Sequence, residues 1–356
     1  MRKYYIDNLR NMTILLLFPV HTFMIWNNFG SGFYIWQEEN KLLSTCIVLV
    51  NPWFMPILFV LAGMSARYAL EIRTPFQFIR QRVCKLLLPF IAGIIVLVPF
   101  QTLYARKYFD GYRGDFFDNW RYFFSHLTDF SGYDGAFTPG HLWFLAFLFL
   151  ISMLALILFH FVPYERIVSW VEKVSAVGIF FFFVPIWLMH YIGNYNGYSF
   201  GKDFALYLVG YYVLSNETVI ERLGTSIRWL AGLCLIAAVS LAMLYYNFSY
   251  YGDFLVNVMG WNTILVLLVF GKRFLNKKTR FTEFFNETSY SIYLLHQSVL
   301  VALAYYIVRT GGRTVVQAAK IGVFSFLLSA LGAQFISIIT KRLTAFRRQK
   351  SIYREE

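Results

Sequence analysis

Two ionisable residues in the first apolar stretch are the strongest candidates for chemistry. His21 lies inside that stretch, and Arg10 precedes it by eleven positions, close to Asp7. Eleven steps at about 100° each return a helix almost to the same face, roughly 16 Å further along. A neutral imidazole is a common general base near neutral pH. We therefore predict His21 and Arg10 as catalytic residues, although alone they could be a structural histidine and a topology anchor.

Three basic residues follow the second apolar stretch. Arg80, Arg82 and Lys85 lie close together, just before Pro89. In an α-helix Arg82 and Lys85, three positions apart, would share one face. Guanidinium groups suit phosphates, so this cluster is a candidate site for a phosphorylated ligand. The alternative is a cluster that only sets the orientation in the membrane.

Four further residues are candidates for substrate contacts. His141 and Trp143 begin the fourth apolar stretch, and His296 lies inside the ninth. Ionisable groups within membrane spans are costly and often functional. We therefore predict His141, Trp143, His296 and Asp7 as substrate-binding residues, with packing side chains as the alternative for the two histidines. No metal site is expected, because the three Cys residues are far apart and no metal-ligand spacing occurs.

Apolar stretches of about 20 residues must position these side chains. Hydrophobic residues make up 58% of the 356 positions and charged residues only 14%, whereas about one quarter of a soluble domain is charged. Lipid can solvate so large an apolar surface. We predict an all-α, polytopic integral membrane protein with ten transmembrane helices. They cover about 11–29, 46–66, 84–104, 141–162, 174–193, 202–215, 228–246, 254–271, 289–309 and 318–340.

The net charge of +13 could indicate a nucleic-acid partner. However, the basic residues lie in short segments between the apolar stretches, which is typical of topology signals and of contacts with anionic lipid. We therefore predict the lipid bilayer as a partner and no nucleic acid. With both termini in the cytoplasm, most of the 32 Lys and Arg residues are cytoplasmic, including the basic tail 341–356. Without a repeat or long linker, 1–356 is predicted to be one domain.

The one long outer segment, about 105–140, has a different composition. Acidic and aromatic side chains suit a polyol or sugar, through hydrogen bonds and ring stacking. A solvated, folded loop without a ligand is the alternative. The acidic residues are Asp110, Asp115, Asp118, Asp129 and Asp134.

Five segments resemble signatures of the membrane-bound acyltransferase-3 family, whose bacterial members include glucan, O-antigen and Nod-factor acyltransferases. Arg10 and His21, after Ile6-Asp7-Asn8-Leu9, resemble its Arg and His separated by ten residues. Two substitutions depart from the family pattern: Lys85 replaces the second Arg of Arg-x-x-Arg, and Ala62 replaces the Ser of Phe-x-x-Ser-Gly. The other four segments are Phe59-Val60-Leu61-Ala62-Gly63, Arg82-Val83-Cys84-Lys85 before Leu88-Pro89, His141-Leu142-Trp143-Phe144 and Tyr290-Ser291-Ile292-Tyr293-Leu294-Leu295-His296.

The resemblance implies transfer of an acyl group, acetyl or succinyl, from cytosolic acyl-CoA to a hydroxyl of an extracytoplasmic or membrane-linked carbohydrate or glycolipid. Arg10, Arg82 and Lys85 would hold the cofactor's phosphates, and His21 would be the general base. The protein would lie in the bacterial cytoplasmic membrane. A homo-oligomer is compatible with this expectation.

Two other functions could use the same residues. A transporter or flippase would place Arg10 and His21 in a substrate or proton path. Many transporters consist of two similar halves, and the sequence shows no such internal symmetry. A non-catalytic receptor or scaffold would leave a cation and an imidazole on one helix face without a purpose.

Overall fold

Helices make up almost all of the protein. The computed structural model describes residues 2–29, 32–195, 197–250 and 252–355, with side chains described as far as residue 342 except that of residue 195. The α-helices are α1 (Tyr4–Phe23), α2 (Lys41–Leu70), α3 (Pro75–Arg82), α4 (Leu88–Val96), α5 (Val98–Phe109), α6 (Phe116–Ser125), α7 (Trp143–Phe161), α8 (Tyr164–Val171), α9 (Ala176–Phe180), α10 (Phe183–Leu188), α11 (Phe200–Val209), α12 (Glu217–Thr225), α13 (Ile227–Phe248), α14 (Asp253–Phe274), α15 (Arg280–Ile307) and α16 (Thr314–Glu355).

Short irregular elements join several of these helices. Two strands, β1 (Asn194–Tyr195) and β2 (Tyr198–Ser199), form an antiparallel hairpin before α11. Two π-helical turns, Val83–Leu87 and Gly210–Leu214, follow α3 and α11. The 3-10 turns are Met24–Trp26, Gly140–Leu142, Met189–Tyr191 and Val308–Thr310.

Eight helical stretches within the described residues are long and apolar enough to cross a membrane, so the prediction of an all-α, polytopic membrane protein is confirmed. Two of the ten predicted spans are shorter in the structure. The fifth falls on the apolar stretch Ala176–Tyr191, and the sixth on α11 with its π turn. The total of ten and the cytoplasmic termini stay predictions. The eight stretches are Tyr4–Trp26, Lys41–Leu70, Pro75–Phe109, Gly140–Phe161, Ile227–Phe248, Asp253–Phe274, Arg280–Thr310 and Thr314–Arg342.

Residue contacts divide the chain into two compact units, each built from three separate segments. The prediction that 1–356 is a single domain stays a prediction, and the side chains of most of the tail 341–356 lie outside the described residues. Unit 1 consists of Met1–Thr13, Glu39–Ala92 and Leu142–Lys277. Unit 2 consists of Ile14–Glu38, Gly93–His141 and Lys278–Glu356.

In unit 1, two glycines allow helix backbones to touch. An added Cβ at Gly63 of α2 would lie 2.0 Å from the carbonyl oxygen of Tyr207, and one at Gly210 would lie 2.3 Å from that of Val60. Such small residues are the usual means of close helix packing in membranes. Gly63 therefore lets α2 pack directly on α11 and the π turn after it.

In unit 2, α15 packs against α16 and α5. Its buried side chains recur every three or four residues, so one face of the helix is turned inward. His296 lies on this face, near the middle of the helix. The buried residues of its central part are Ser289, Ile292, Tyr293, His296, Gln297, Leu300, Val301 and Ala304.

Candidate active site

Three histidines that are distant in the sequence meet in unit 2. His21 comes from α1, His141 from the 3-10 turn before α7, and His296 from α15. The centre of the His296 ring lies 5.3 Å from that of His21 and 5.0 Å from that of His141. We call His21, His141 and His296 the histidine cluster. Two of the predicted substrate-binding residues are thus neighbours of the predicted base.

Backbone geometry at Gly140 brings His141 into the cluster. Gly140 has φ +51°, a conformation that glycine adopts at little cost. An added Cβ there would lie 3.3 Å from Oε1 of Gln101 and 3.4 Å from the Tyr34 hydroxyl. The hydroxyl of Thr138 accepts a hydrogen bond from the Gly140 amide, which closes the turn. The Pro139-Gly140 pair that precedes the fourth span therefore serves to place a side chain.

Hydrogen bonds occupy both ring nitrogens of His141. Nε2 lies 2.9 Å from the carbonyl oxygen of Leu294, and Nδ1 lies 3.0 Å from Nε2 of Gln101. A carbonyl oxygen can only accept, so the neutral ring carries its proton on Nε2 and accepts at Nδ1 from the Gln101 amide. The other amide hydrogen of Gln101 goes to Ser298, whose hydroxyl donates to the Leu97 carbonyl. His141 therefore has no nitrogen left for a proton transfer.

His296 has one occupied and one free ring nitrogen. Its Nδ1 lies 2.5 Å from the carbonyl oxygen of Tyr293, so Nδ1 carries the proton and donates. Its Nε2 is then an unprotonated acceptor, buried and without a hydrogen-bond partner. The whole residue is 0% exposed. A buried acceptor without a partner is rare in proteins and calls for an explanation.

His21 is the accessible member of the cluster. His21 is half-buried, whereas His141 is only 5% exposed. None of the hydrogen bonds among the described residues involves His21. Phe33 stacks parallel to the His21 ring at 6.1 Å between centres. Tyr34 and Tyr133 pack edge-on around Phe33. His21 is therefore the member of the histidine cluster with the most accessible surface, and it lies beside a group of aromatic rings.

The sequence analysis missed Gln101, Ser298 and Phe33. It searched the spans for ionisable residues, and Gln101 is a neutral amide in an apolar run, 0% exposed in the structure. A search that included amides and hydroxyls inside spans would have found Gln101. Phe33 has no such signal, since it is one of 39 Phe residues.

In unit 1, Arg10 lies in a small polar group on α1. Its guanidinium donates to Asp7 at 3.3 Å and to the hydroxyl of Ser65 at 3.0 Å. Arg2 also pairs with Asp7, at 2.8 Å, so two cations share one carboxylate and positive charge is in excess. Ser65 supplies a hydroxyl one turn after Ala62, the position where the family pattern has Ser. Both Asp7 oxygens are engaged in ion pairs, and its predicted substrate contact stays a prediction.

The three predicted phosphate ligands Arg80, Arg82 and Lys85 lie in different environments. The Arg82 guanidinium stands 4.6 Å above the Phe78 ring, and its Nε is buried without a partner. Lys85 and Arg80 are exposed. The π turn Val83–Leu87 follows Arg82 and contains Lys85, and the helix is wider there than an α-helix. The common face of Arg82 and Lys85 stays a prediction. Within the described residues, no carboxylate forms an ion pair with Arg82.

Trp143 lies in unit 1, at the start of α7. Its ring contacts the rings of Phe59, Phe147 and Tyr198, with Tyr198 nearest at 4.6 Å between centres. These contacts give Trp143 an aromatic packing role. Its predicted contact with substrate stays a prediction.

Most acidic side chains of segment 105–140, which is predicted to lie outside, stabilise the segment itself. Asp115 caps α6 by accepting from the amide of Asp118, and Asp134 accepts from the amide of Ala136. Hydrogen bonds from Ser131 lower the pKa of the Asp129 carboxyl. The segment is therefore a folded loop, and three of its carboxylates are already used for turns and caps.

Within the described residues, no group of three or more His, Cys, Asp or Glu side chains is placed to hold a metal ion. In the histidine cluster this agrees with the hydrogen bonds, which use both nitrogens of His141 and one of His296. The chemistry that the cluster itself can supply is proton acceptance by an imidazole.

Comparison with known proteins identifies the family of the chain. The family model for acyltransferase family 3, described as an acyltransferase domain, matches residues 3–334. No curated protein and no solved structure matches the chain. The matched region includes every member of the histidine cluster and the predicted cofactor ligands Arg10, Arg80, Arg82 and Lys85. The multi-pass helical fold and this match together show that the chain belongs to the membrane-bound acyltransferase family 3.

Proposed function

We propose that the protein transfers an acyl group, acetyl or succinyl, from acyl-CoA to a hydroxyl of a carbohydrate or glycolipid, with His21 as the general base. One observation carries the proposal: an accessible imidazole without a hydrogen-bond partner lies in a buried polar cluster of a chain that belongs to an acyltransferase family. Membership of that family favours group transfer over the transport alternative.

The reaction that fits this site is a direct transfer. The acceptor oxygen would attack the thioester carbonyl while its proton passes to the free nitrogen of His21. The tetrahedral intermediate would then collapse, the carbon–sulfur bond would break, and the imidazolium would return the proton to the departing thiolate. The products are an ester and the free thiol of CoA, and His21 ends neutral, as it began.

Excess positive charge in unit 1 supports an anionic donor. Arg10 and Arg2 share the single carboxylate of Asp7, and Arg82 has a buried Nε without a partner. Guanidinium groups bind phosphates through paired hydrogen bonds. We propose Arg10 and Arg82 as the principal ligands of the CoA phosphates, with exposed Lys85 and Arg80 adding longer-range attraction.

The aromatic residues beside His21 support a carbohydrate acceptor. Phe33, Tyr34 and Tyr133 adjoin one another, and Tyr133 belongs to the folded outer loop. Aromatic faces and tyrosine hydroxyls suit a sugar ring. We propose that the acceptor is presented on this side in a bacterial cytoplasmic membrane. A homo-oligomer is compatible with the proposal.

The His21→Ala variant tests the proposal. The purified protein is incubated with labelled acetyl-CoA or succinyl-CoA, and release of the CoA thiol and transfer of label are measured. Loss of a general base should lower kcat by about 100-fold or more. Surface glycans of cells with and without the gene, compared by mass spectrometry, identify the acceptor.

The control for this test is His160→Ala. His160 is an exposed histidine in the last turn of α7, and the histidine cluster does not include it. It should retain wild-type transfer. Normal transfer by the His21→Ala protein, at wild-type levels in the membrane, would rule out His21 as the base.

A further inference from the structure

The buried Nε2 of His296 has no hydrogen-bond partner among the described residues and no role in the proposed transfer. Its Nδ1 is held by the carbonyl of Tyr293, which leaves Nε2 as a lone-pair acceptor inside the protein. Because the residue is 0% exposed, Nε2 needs a donor from a neighbouring side chain or from a molecule that enters the cluster.

The neighbouring rings leave one uncommitted donor among the described residues. The rings next to His296 are those of Phe18, His21, His141 and Tyr293. Phe18 has no donor. The N–H of His141 is used by the Leu294 carbonyl, and the Tyr293 hydroxyl donates to the carbonyl of His141. His21 alone retains a free N–H.

The spacing of the two rings suits such a bond. Their centres are 5.3 Å apart and their planes differ by 27°. A hydrogen bond of about 2.9 Å between two imidazole nitrogens leaves the ring centres roughly 5 Å apart. The proposed bond requires a rotation of the His21 side chain, which no hydrogen bond among the described residues restrains.

We propose that His296 is a positioning residue for His21: its unprotonated Nε2 accepts the N–H of His21, so that the other nitrogen of His21 faces the acceptor hydroxyl. A neutral imidazole thus does for His21 what a carboxylate does in a Ser-His-Asp triad, where it sets the tautomer and stabilises the imidazolium. When His21 takes the hydroxyl proton, the bond to His296 persists and strengthens. His296 itself is not protonated.

His141 and Gln101 form hydrogen bonds with the part of α15 that carries His296. The Leu294 carbonyl that His141 binds lies two residues before His296 in α15, and Ser298, which Gln101 binds, lies two residues after it. These bonds hold α15 on both sides of His296. The orientation of Nε2 is therefore set by a connected polar network rather than by packing alone.

Two substitutions of His296 separate the roles of its two nitrogens. His296→Gln can place an amide oxygen where Nε2 lies, so it keeps the acceptor and loses the bond to Tyr293. His296→Asn can place an amide N–H where Nδ1 lies, so it keeps the bond to Tyr293 and loses the acceptor. Both purified variants are assayed for kcat and for KM with acetyl-CoA, and their thermal unfolding midpoints are measured in the same detergent.

The proposal expects opposite behaviour from the pair. His296→Asn should fold normally and lose about 100-fold or more in kcat with KM unchanged, since a base without its orienting partner is misplaced. His296→Gln should keep kcat within about tenfold of wild type, because it retains an acceptor. The reverse order, with Asn active and Gln inactive, would show that only the Tyr293 bond matters and would overturn the proposal.

The remaining outcomes also test the proposal. If one variant fails to fold, the other is sufficient: normal kcat in His296→Asn, or inactivity of a stable His296→Gln, overturns the proposal. The proposal depends on the proposed function, and His21→Ala separates the two. Transfer that survives His21→Ala removes the proposed base itself, whereas an inactive His21→Ala with an active His296→Asn removes only the role of His296.

Discussion

At the scale of single residues, the three histidines of the cluster differ in their capacity for proton transfer. His141 has both nitrogens bonded, His296 has one bonded, and His21 has none bonded among the described residues. Nε2 of His141 and Nδ1 of His296 each face a backbone carbonyl, which can only accept, and this places the proton of those two rings. Capacity for proton transfer therefore follows from the neighbours of each ring and cannot be read from its residue type.

The Arg82→Ala variant tests the proposed donor site at this scale. Arg82 has a buried Nε without a partner, and none of the ion pairs among the described residues involves it, so we expect its charge to attract a phosphate. Removal of one charge-assisted hydrogen bond, worth about 1.5–3 kcal/mol, should raise KM for acetyl-CoA by roughly 10-fold or more. Titration of the purified protein with acetyl-CoA provides a direct measure of affinity.

A matched substitution checks that the effect is local. Arg273 is also an arginine over a phenylalanine ring, but it is exposed in the last turn of α14. Arg273→Ala should keep wild-type affinity. Equal affinity in both variants would reduce Arg82 to a topology signal.

At the scale of elements, glycines and wide helical turns determine which side chains can meet. Gly63 has no side chain, so α2 can touch the backbone at Tyr207. At the π turn Val83–Leu87 the helix is wider, and Arg82 and Lys85 lie in different environments. Gly140 turns the chain so that His141 enters the cluster before α7 begins. Each of these positions changes a direction or a distance without contributing a functional group.

The Gly63→Ala variant tests the close packing of α2. The new Cβ would lie 2.0 Å from a backbone oxygen, a contact that cannot form without a shift of a helix. Overpacking of this kind costs about 1–3 kcal/mol or more, so the unfolding midpoint in detergent should fall clearly. Gly232→Ala in α13 is the control, because nothing lies within 4 Å of its added Cβ.

The two alanine variants should differ in sign as well as in size. Alanine is a better helix former than glycine by about 1 kcal/mol, so Gly232→Ala should leave the midpoint unchanged or slightly higher. Equal midpoints for the two variants would contradict the direct backbone contact of α2 with α11.

At the scale of the whole molecule, the distribution of basic residues predicts the topology. Three apolar stretches, ending at Phe109, precede the loop that contains Asp129 and Tyr133. An odd number of crossings would put this loop on the side opposite the N-terminus. An even total would return the C-terminus to the side of the N-terminus, where the positive-inside rule expects its Lys and Arg residues.

Reporter fusions test this topology. A fluorescent protein fused after residue 356 should fluoresce, as it does only in the cytoplasm, and an epitope before residue 1 should be protected in intact spheroplasts. Alkaline phosphatase fused after residue 131 should be active, since that loop is expected outside. Active phosphatase fused at residue 356 would mean an odd number of crossings and would refute the prediction of ten spans.

The sequence alone was sufficient for the class of fold and for the residues worth examining. Apolar length predicts membrane helices because the bilayer sets the length of a span, and eight of the ten predicted stretches appear as helices long enough to cross it. The ionisable residues inside spans identified His21, His141 and His296, since burial of such groups is costly unless they have a use. The spacing of Arg10 and His21 in one continuous helix was also predictable, because helix geometry is local.

Only the tertiary structure decided which of those residues meet and how each is hydrogen-bonded. The three histidines come from positions up to 275 residues apart, and no local rule predicts that their rings meet at about 5 Å. Whether an imidazole is free or bonded depends on carbonyls and amides from other helices, such as Leu294 and Gln101. The sequence could propose His21 as the base, whereas only the fold shows that it is the histidine of the cluster without a hydrogen bond among the described residues.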